Sequence, residues 1–206
     1  MVFDVGANRG EWTCLAMEHM RLADIHAFEP VPQTAALLRS AVGIGVRAEV
    51  HECALGDSDG TRRISLNVPR SELVSLLDLA EGPDSIVVAV RRGDAICSEL
   101  GIERIDLLKI DAEGSDHQVI AGFDTMLRRS LIDVVQFEYG AWAFTTKFLL
   151  RDFWNAFEGH RYVVGKLHPR GVAFGPYSTR LEDFRGLNFV AVTTDRPDLI
   201  AELRER

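Results

Sequence analysis

A repeating rhythm constrains this chain more than any other feature. Short β-branched or aromatic runs end at glycine, proline or an acid, and helical apolar spacing follows them. Val2–Val5 reads as a strand closed by Gly6, and Trp12, Leu15, Ala16 and Met20 then suit a helix over Glu11–Met20. Ile25–Glu29 is a second strand, stopped by Pro30, and Pro32 opens a helix through Leu37, Leu38 and Ala41. Arg47–Cys53 alternates as a third strand. The rhythm resumes at Ile105–Ile110, and the S-x-x-Q segment Ser115–Gln118 predicts a capping box opening a helix to about Arg128. Ile132–Phe137 is the next strand. A helix at Phe148–Phe157 carries Phe153, Trp154 and Phe157, Arg161–Gly165 and Asn188–Thr193 are late strands, and Pro197–Arg206 is a polar helix. Strands that alternate with helices imply an α/β fold with a mostly parallel sheet and right-handed crossovers.

Between the third strand and Ile105 the rhythm breaks. Gly56–Gly60 is a turn cluster, and Thr61–Val68 and Ile86–Arg91 read as strands flanking a polar loop, Pro69–Asp84. The expected organisation is one domain over residues 1–206 with a β-hairpin and loop insertion at about 57–92. A length of 206 residues is enough for one full core.

Charge and cysteine usage remove several classes. Lys and Arg number 23 against 31 Asp and Glu, giving a net charge of −8. That balance opposes a nucleic-acid partner, which needs a basic field to neutralise phosphates. Cys14, Cys53 and Cys97 form no CxxC, so neither a disulfide framework nor a zinc ribbon is expected, and a reducing compartment fits. The N-terminus has no signal-peptide pattern, and the longest apolar runs fall far short of the roughly 20 residues a membrane span needs. These readings predict a cytoplasmic protein without a membrane partner.

In a parallel sheet, ligands bind beyond the carboxyl ends of the strands, near the reversal of strand order. Function is therefore expected at Gly6–Gly10, Glu29, Cys53–Asp57, Asp111–Gly114 and Glu138–Gly140. Asp4-Val5-Gly6-Ala7-Asn8-Arg9-Gly10 has the spacing G-x-x-x-G, with Asn8 where a dinucleotide fingerprint has its second glycine. It is either a cofactor cradle or a plain strand-to-helix turn. Glu29 either accepts the hydroxyls of a ribose or faces solvent. Cys53 and Ala54 either border an adenine or are simply buried. Lys109, Asp111 and Glu113 alternate beside Gly114, so Lys109 and Asp111 share a face and either pair or act on a ligand. Glu138 adds a carboxylate at the next strand tip.

In this order, V-F-D-V-G-A-N-R-G, F-E-P, A-L-G-D and L-K-I-D-A-E-G resemble the FkbM-type family of S-adenosylmethionine-dependent O-methyltransferases over residues 2 to 140, and more loosely to about 165. The resemblance implies a class I methyltransferase (Rossmann-like) three-layer sandwich, with a mostly parallel seven-stranded sheet whose last strand is antiparallel. It implies methyl transfer to a hydroxyl of a small molecule or sugar. By position, Gly6, Asn8 and Gly10 would face the methionine part of the cofactor, beside Asp4 and Ala7. Glu29 and Pro30 would flank the ribose, and Cys53 and Ala54 the adenine. Asp111 and Glu113 would lie near the transferred methyl. The family usually carries residues ahead of the first strand, whereas this sequence opens on it. The cofactor cover is then expected from Pro69–Asp84, from a neighbouring subunit in a homo-oligomer, or not at all.

Asp111, Glu113 and Glu138 are the catalytic candidates, with Asp111 preferred as base, and His117 and His168 stand behind them. Asp111, Glu113 and Glu138 could also hold Mg²⁺ through oxygen ligands, but a metal-free site is preferred. Tyr139, Trp142, Phe144 and His168–Tyr177 are the acceptor-side candidates. The alternatives are an NAD-linked oxidoreductase and a non-catalytic domain of the same fold.

Overall fold

Val2–Val5 forms β1, a fully buried strand. The computed structural model describes residues 1–43, 47–65 and 85–205. After β1 come α1 (Glu11–His19), β2 (Ile25–Phe28), α2 (Pro32–Val42) and β3 (Ala48–His51). Three short strands follow: β4 (Ala54–Gly56), β5 (Gly60–Ser65) and β6 (Ser85–Arg92). Then come α3 (Gly93–Leu100), β7 (Ile105–Ile110), α4 (Asp116–Gly122), α5 (Asp124–Arg128) and β8 (Ile132–Glu138). The chain closes with α6 (Ala143–Thr146), α7 (Leu150–Gly159), β9 (Tyr162–His168), β10 (Gly171–Phe174), β11 (Asn188–Thr193) and α8 (Pro197–Leu203).

The main sheet has the order β10-β9-β11-β8-β7-β1-β2-β3. β3, β2, β1, β7 and β8 are parallel neighbours, while β11 is antiparallel to both β8 and β9. The sheet therefore has eight strands, one more than the resemblance implies, because β10 folds back on β9 as an outer hairpin. A second, smaller sheet joins β4, β6 and β5. The expected insertion supplies the β5 and β6 arms, and residues 66–84, including the whole of the expected loop Pro69–Asp84, lie outside the described residues.

Order reverses between β1 and β7: the chain winds outward from β1 to β3, then resumes on the other side of β1. The sheet's two faces carry different cores. Phe3, Phe28, Leu108, Val135, Phe137 and Phe189 face Phe123 and α7, where Phe153, Trp154 and Phe157 are buried. On the opposite face Val2 and Ile25 meet Ala16 of α1, and Val190 and Val192 meet Leu199, Ile200 and Leu203 of α8. The last residues also close the outer edge. Arg204 bridges to Val172 of β10, and Glu205 N–H donates to the Val172 carbonyl at 3.1 Å.

Several sequence expectations shift. Leu15 and Leu37 are more than half exposed, and α1 and α2 bury narrower stripes centred on Thr13 and Ala16, and on Ala35, Leu38 and Val42. The capping box at Ser115 does not form, since the Ser115 side chain caps nothing. The helix expected to Arg128 breaks at Phe123 into α4 and α5. Phe123 is fully buried, and Asp94 of α3 accepts from the Thr125 and Met126 N–H groups that open α5. β4, α3, α6 and β10 are additional elements.

Candidate active site

Asp4 of β1 and Lys109 of β7 are register partners across the strand-order reversal. Asp4 is fully buried and Lys109 nearly so. Lys109 Nζ lies 3.0 Å from Asp4 Oδ1 and 3.5 Å from Asp111 Oδ2. Thr13 Oγ1 donates to Asp4 Oδ2 at 2.6 Å, and the Trp12 ring lies 5.8 Å from Lys109 Nζ. Lys109 therefore pairs as the strand alternation allows, and it joins a buried anion to one at the rim. Asp4 sits beneath the site as an internal anchor.

The β1–α1 turn owes its glycines to close packing. Gly6 has φ +78°, and a Cβ there would run into the Asp111 carbonyl oxygen. Gly10 has φ +90°, and its Cβ would meet Leu38 Cδ1 at 2.6 Å. Asn8, in the place of the missing glycine, takes φ +48°, the left-handed region that asparagine tolerates. Ala7 is buried against Ala27 and Leu38.

Glu29 follows β2 and is buried. Its Oε2 accepts the Asn8 N–H at 3.1 Å and its Oε1 the Val31 N–H at 2.9 Å, across Pro30. Burial raises its carboxyl above the ordinary range, against the pull of those two N–H groups. A carboxylate has about four lone-pair sites, so each oxygen keeps room for a further donor. Cys53 and Ala54 are both buried where the chain passes from β3 to β4. Burial pushes the Cys53 thiol up to about 11, so this side is a small, unreactive wall. Cys14, Cys53 and Cys97 are all unpaired.

The tips of β7 and β8 bring the acids together. Glu138 is pushed up to about 8, first by burial, then by the Asp111 charge and a hydrogen bond with Asp111, with Asp116 and Glu113 adding to the effect. Glu113, at φ +50° in the turn after β7, is raised by lost hydration and then by Asp111, against Lys109. Asp116 was not among the site residues the sequence suggested. It is buried and accepts two backbone donors, the Ala112 N–H at 3.2 Å through Oδ2 and the Glu138 N–H at 3.0 Å through Oδ1. One side chain thus ties the turn after β7 to the end of β8. Burial raises Asp116 to about 7. Its only sequence signal was a place inside the expected capping box.

Trp142 packs in the core, where a Cβ on Gly114 would come within 3.0 Å of its ring. Phe144 is 75% exposed and lies against Phe184. His117 is half-buried and stacks on Phe148 at 4.9 Å. His168, at the end of β9, lines an open depression with Leu167, Pro169 and Gly186–Asn188, and Asn188 is the register partner of Glu138. The depression thus continues the carboxyl edge beyond the acids. Among the described residues, the one set of three metal-capable side chains converging within 4.8 Å is His26, Glu49 and His51. Asp111, Glu113 and Glu138 do not converge in that way.

The strand order and directions define a Rossmann-like sheet. The solved structure of methyltransferase FkbM from Methylobacillus flagellatus KT matches 92% of this chain with a TM-score of 0.59 at 18% identity, and 42% of that chain is covered. The chain belongs to the FkbM methyltransferase family, whose methyltransferase FkbM domain matches residues 4–164. It is 36% identical to the 31-O-demethyl-FK506 methyltransferase FkbM of Streptomyces tacrolimicus, over 60% of this chain and 59% of that protein. It is 30% identical to the 2-O-methyltransferase NoeI of Sinorhizobium fredii, over 59% of this chain and 56% of that protein. The chain thus spans less than three fifths of these curated relatives. Among the described residues, no helix is long and apolar enough to cross a membrane.

Proposed function

We propose that this chain is an S-adenosylmethionine-dependent O-methyltransferase that methylates a hydroxyl of a small molecule or sugar. The observation that carries this reading is the Asp111–Glu138 pair, poised at the strand-order reversal with Glu138 raised to about 8. The names of the two curated relatives, each an O-methyltransferase, support the reaction class.

The residues fit this cofactor. Glu29 has acceptor capacity for ribose hydroxyls, and the buried Cys53–Ala54 wall is small enough for an adenine edge. The Gly6–Gly10 turn offers backbone to the methionine part beside Asp4. The acidic rim of Asp111, Glu113 and Glu138 complements a sulfonium charge. When bound, the cofactor supplies an electrophilic methyl carbon.

The chain's own groups orient the acceptor and move its proton. The carboxyl pair accepts the hydroxyl proton as the oxygen becomes nucleophilic, which is general base catalysis by a group whose pKa lies near working pH. Lys109 holds Asp111 in place from below, and Asp116 holds the backbone of Glu138. We read the chemistry as metal-free: burial and the Asp111 charge favour the protonated form of Glu138, which opposes holding a cation between these carboxyls. Phe144 and the depression beside His168 form the acceptor side. We extend the reading to one domain over residues 1–206 with an insertion at about 57–92. It is a cytoplasmic enzyme with a small-molecule or carbohydrate acceptor, no nucleic-acid or membrane partner, and the capacity to form a homo-oligomer.

Isothermal calorimetry tests it. S-adenosylmethionine and its demethylated product should bind at one site while NAD does not, and Glu29→Ala should weaken binding at least about tenfold, the loss of a pair of good hydrogen bonds. Binding of NAD alone would support the oxidoreductase reading. Binding of neither would leave a non-catalytic domain.

A further inference from the structure

His26, Glu49 and His51 form a cluster that the proposed methyl transfer does not use. β2 and β3 are parallel, with His26 opposite Glu49 and Phe28 opposite His51. Side chains two apart on a strand share a face, so all three ligand-type residues project from the same side of the sheet. His26 Nδ1 lies 2.8 Å from His51 Nε2 and 3.8 Å from Glu49 Oε2. The His51 ring stacks on Phe28 at 4.7 Å and on His26 at 5.1 Å, which fixes its plane. His26 is buried, whereas the Glu49 side chain is 63% exposed, so the cluster opens to water on the Glu49 side.

We propose that these three side chains bind one divalent transition-metal ion of the zinc type. Two imidazole nitrogens and one carboxylate, with water completing the shell, are a donor set suited to that ion. A metal–nitrogen bond is about 2.1 Å, so two nitrogens on a tetrahedral ion sit about 3.4 Å apart. The His26–His51 separation has to widen by only about half an ångström, a change side-chain torsions can supply. The ion would cross-link β2 to β3 on the flank of the cofactor site, where the His51 carbonyl accepts the Glu29 N–H at 3.0 Å. This site is independent of the methyl-transfer reading, and its test reads metal alone.

The experiment is calorimetric titration of chelator-stripped protein with Zn²⁺, followed by Co²⁺ substitution and visible absorption. The expected result is one equivalent bound at micromolar or lower Kd, with Co²⁺ bands of a four- or five-coordinate nitrogen–oxygen site. Glu49→Gln should weaken binding by about tenfold or more and His51→Gln by about a hundredfold, at or above the effect of losing an outer-shell partner. His168→Gln, at the other end of the sheet, should leave Kd within about twofold of the parent. The proposal is overturned if the parent binds no stoichiometric Zn²⁺, or if Glu49→Gln binds as the parent does. Glu49 is exposed, so that variant keeps the fold and decides the matter even if His51→Gln does not fold.

Discussion

Asp4 and Lys109 face each other across the β1–β7 pairing, 3.0 Å apart, and join the interior of the sheet to Asp111 at its carboxyl edge. Lys109→Met should destabilise the fold by about 3–5 kcal/mol, because it strands a fully buried carboxylate. Lys109→Met combined with Asp4→Leu should recover much of that loss, since removing both charges also removes the need to desolvate them. Denaturant unfolding of the two variants against the parent measures this. Equal stability of the single and double variants would show that the charges are not coupled.

Gly6→Ala places a Cβ against the Asp111 carbonyl at a φ that L-residues avoid. The expected loss is about 3 kcal/mol or more, from backbone strain added to the collision. The relevant measurements are thermal unfolding and calorimetric cofactor binding, which should both fall, because the turn and the β7 tip are pressed together at this atom.

Asp116→Ala leaves the Ala112 and Glu138 N–H groups without their acceptor. Each orphaned donor costs about 1–3 kcal/mol when buried. The turnover should fall by about tenfold or more, beyond what the stability loss explains, because the Asp111 and Glu138 tips are no longer held together. Cofactor affinity should change less than kcat, as Glu29 and the Gly6–Gly10 turn do not touch Asp116. A variant with parental kcat would show that Asp116 is only a structural tie.

The raised acids set a pH dependence. Glu138 moves from its ordinary 4.5 up to about 8, and Asp116 from 3.8 up to about 7. The folded state therefore binds more protons than the unfolded chain over this range, and stability falls as pH rises from about 4.5 through 8. The contribution is fully present below the ordinary carboxyl range and is lost above about 8. Thermal unfolding between pH 5 and 9 should show this decline, and Glu138→Gln should flatten its upper part. Activity should run the other way, rising as the pair gives up its proton, with an apparent midpoint near 8 for the pair as a unit. A flat rate profile would exclude the pair as base.

Much of the sheet was legible, because β-branched runs punctuated by glycine, proline and acids leave few readings. Val2–Val5 and Ile105–Ile110 appear as strands with the expected bounds. What escaped was set by partners distant in sequence. α3 begins at Gly93, directly after β6 with no connecting turn, and Asp94 there is held by N–H groups of α5 some 31 residues on. Ser115 caps nothing, while neighbouring Asp116 accepts the N–H groups of Ala112 and of Glu138, the latter 22 residues away. Leu15 and Leu37 fit helical spacing, but the sheet covers only a narrow stripe of each helix. At the site, chain order alone indicated Glu29, Asp111 and Glu138. The raised Glu138 beside Asp111 and the His26–His51 contact follow from the parallel register of the strands.

The bridge from Arg204 to Val172 has a practical meaning. β10 is the outermost strand on its side, and a bare strand edge is a template on which another chain can add. The residues after α8 occupy that hydrogen-bonding row as a built-in stopper. Deleting Arg204 and Glu205 would expose this part of the row and invite intermolecular self-association.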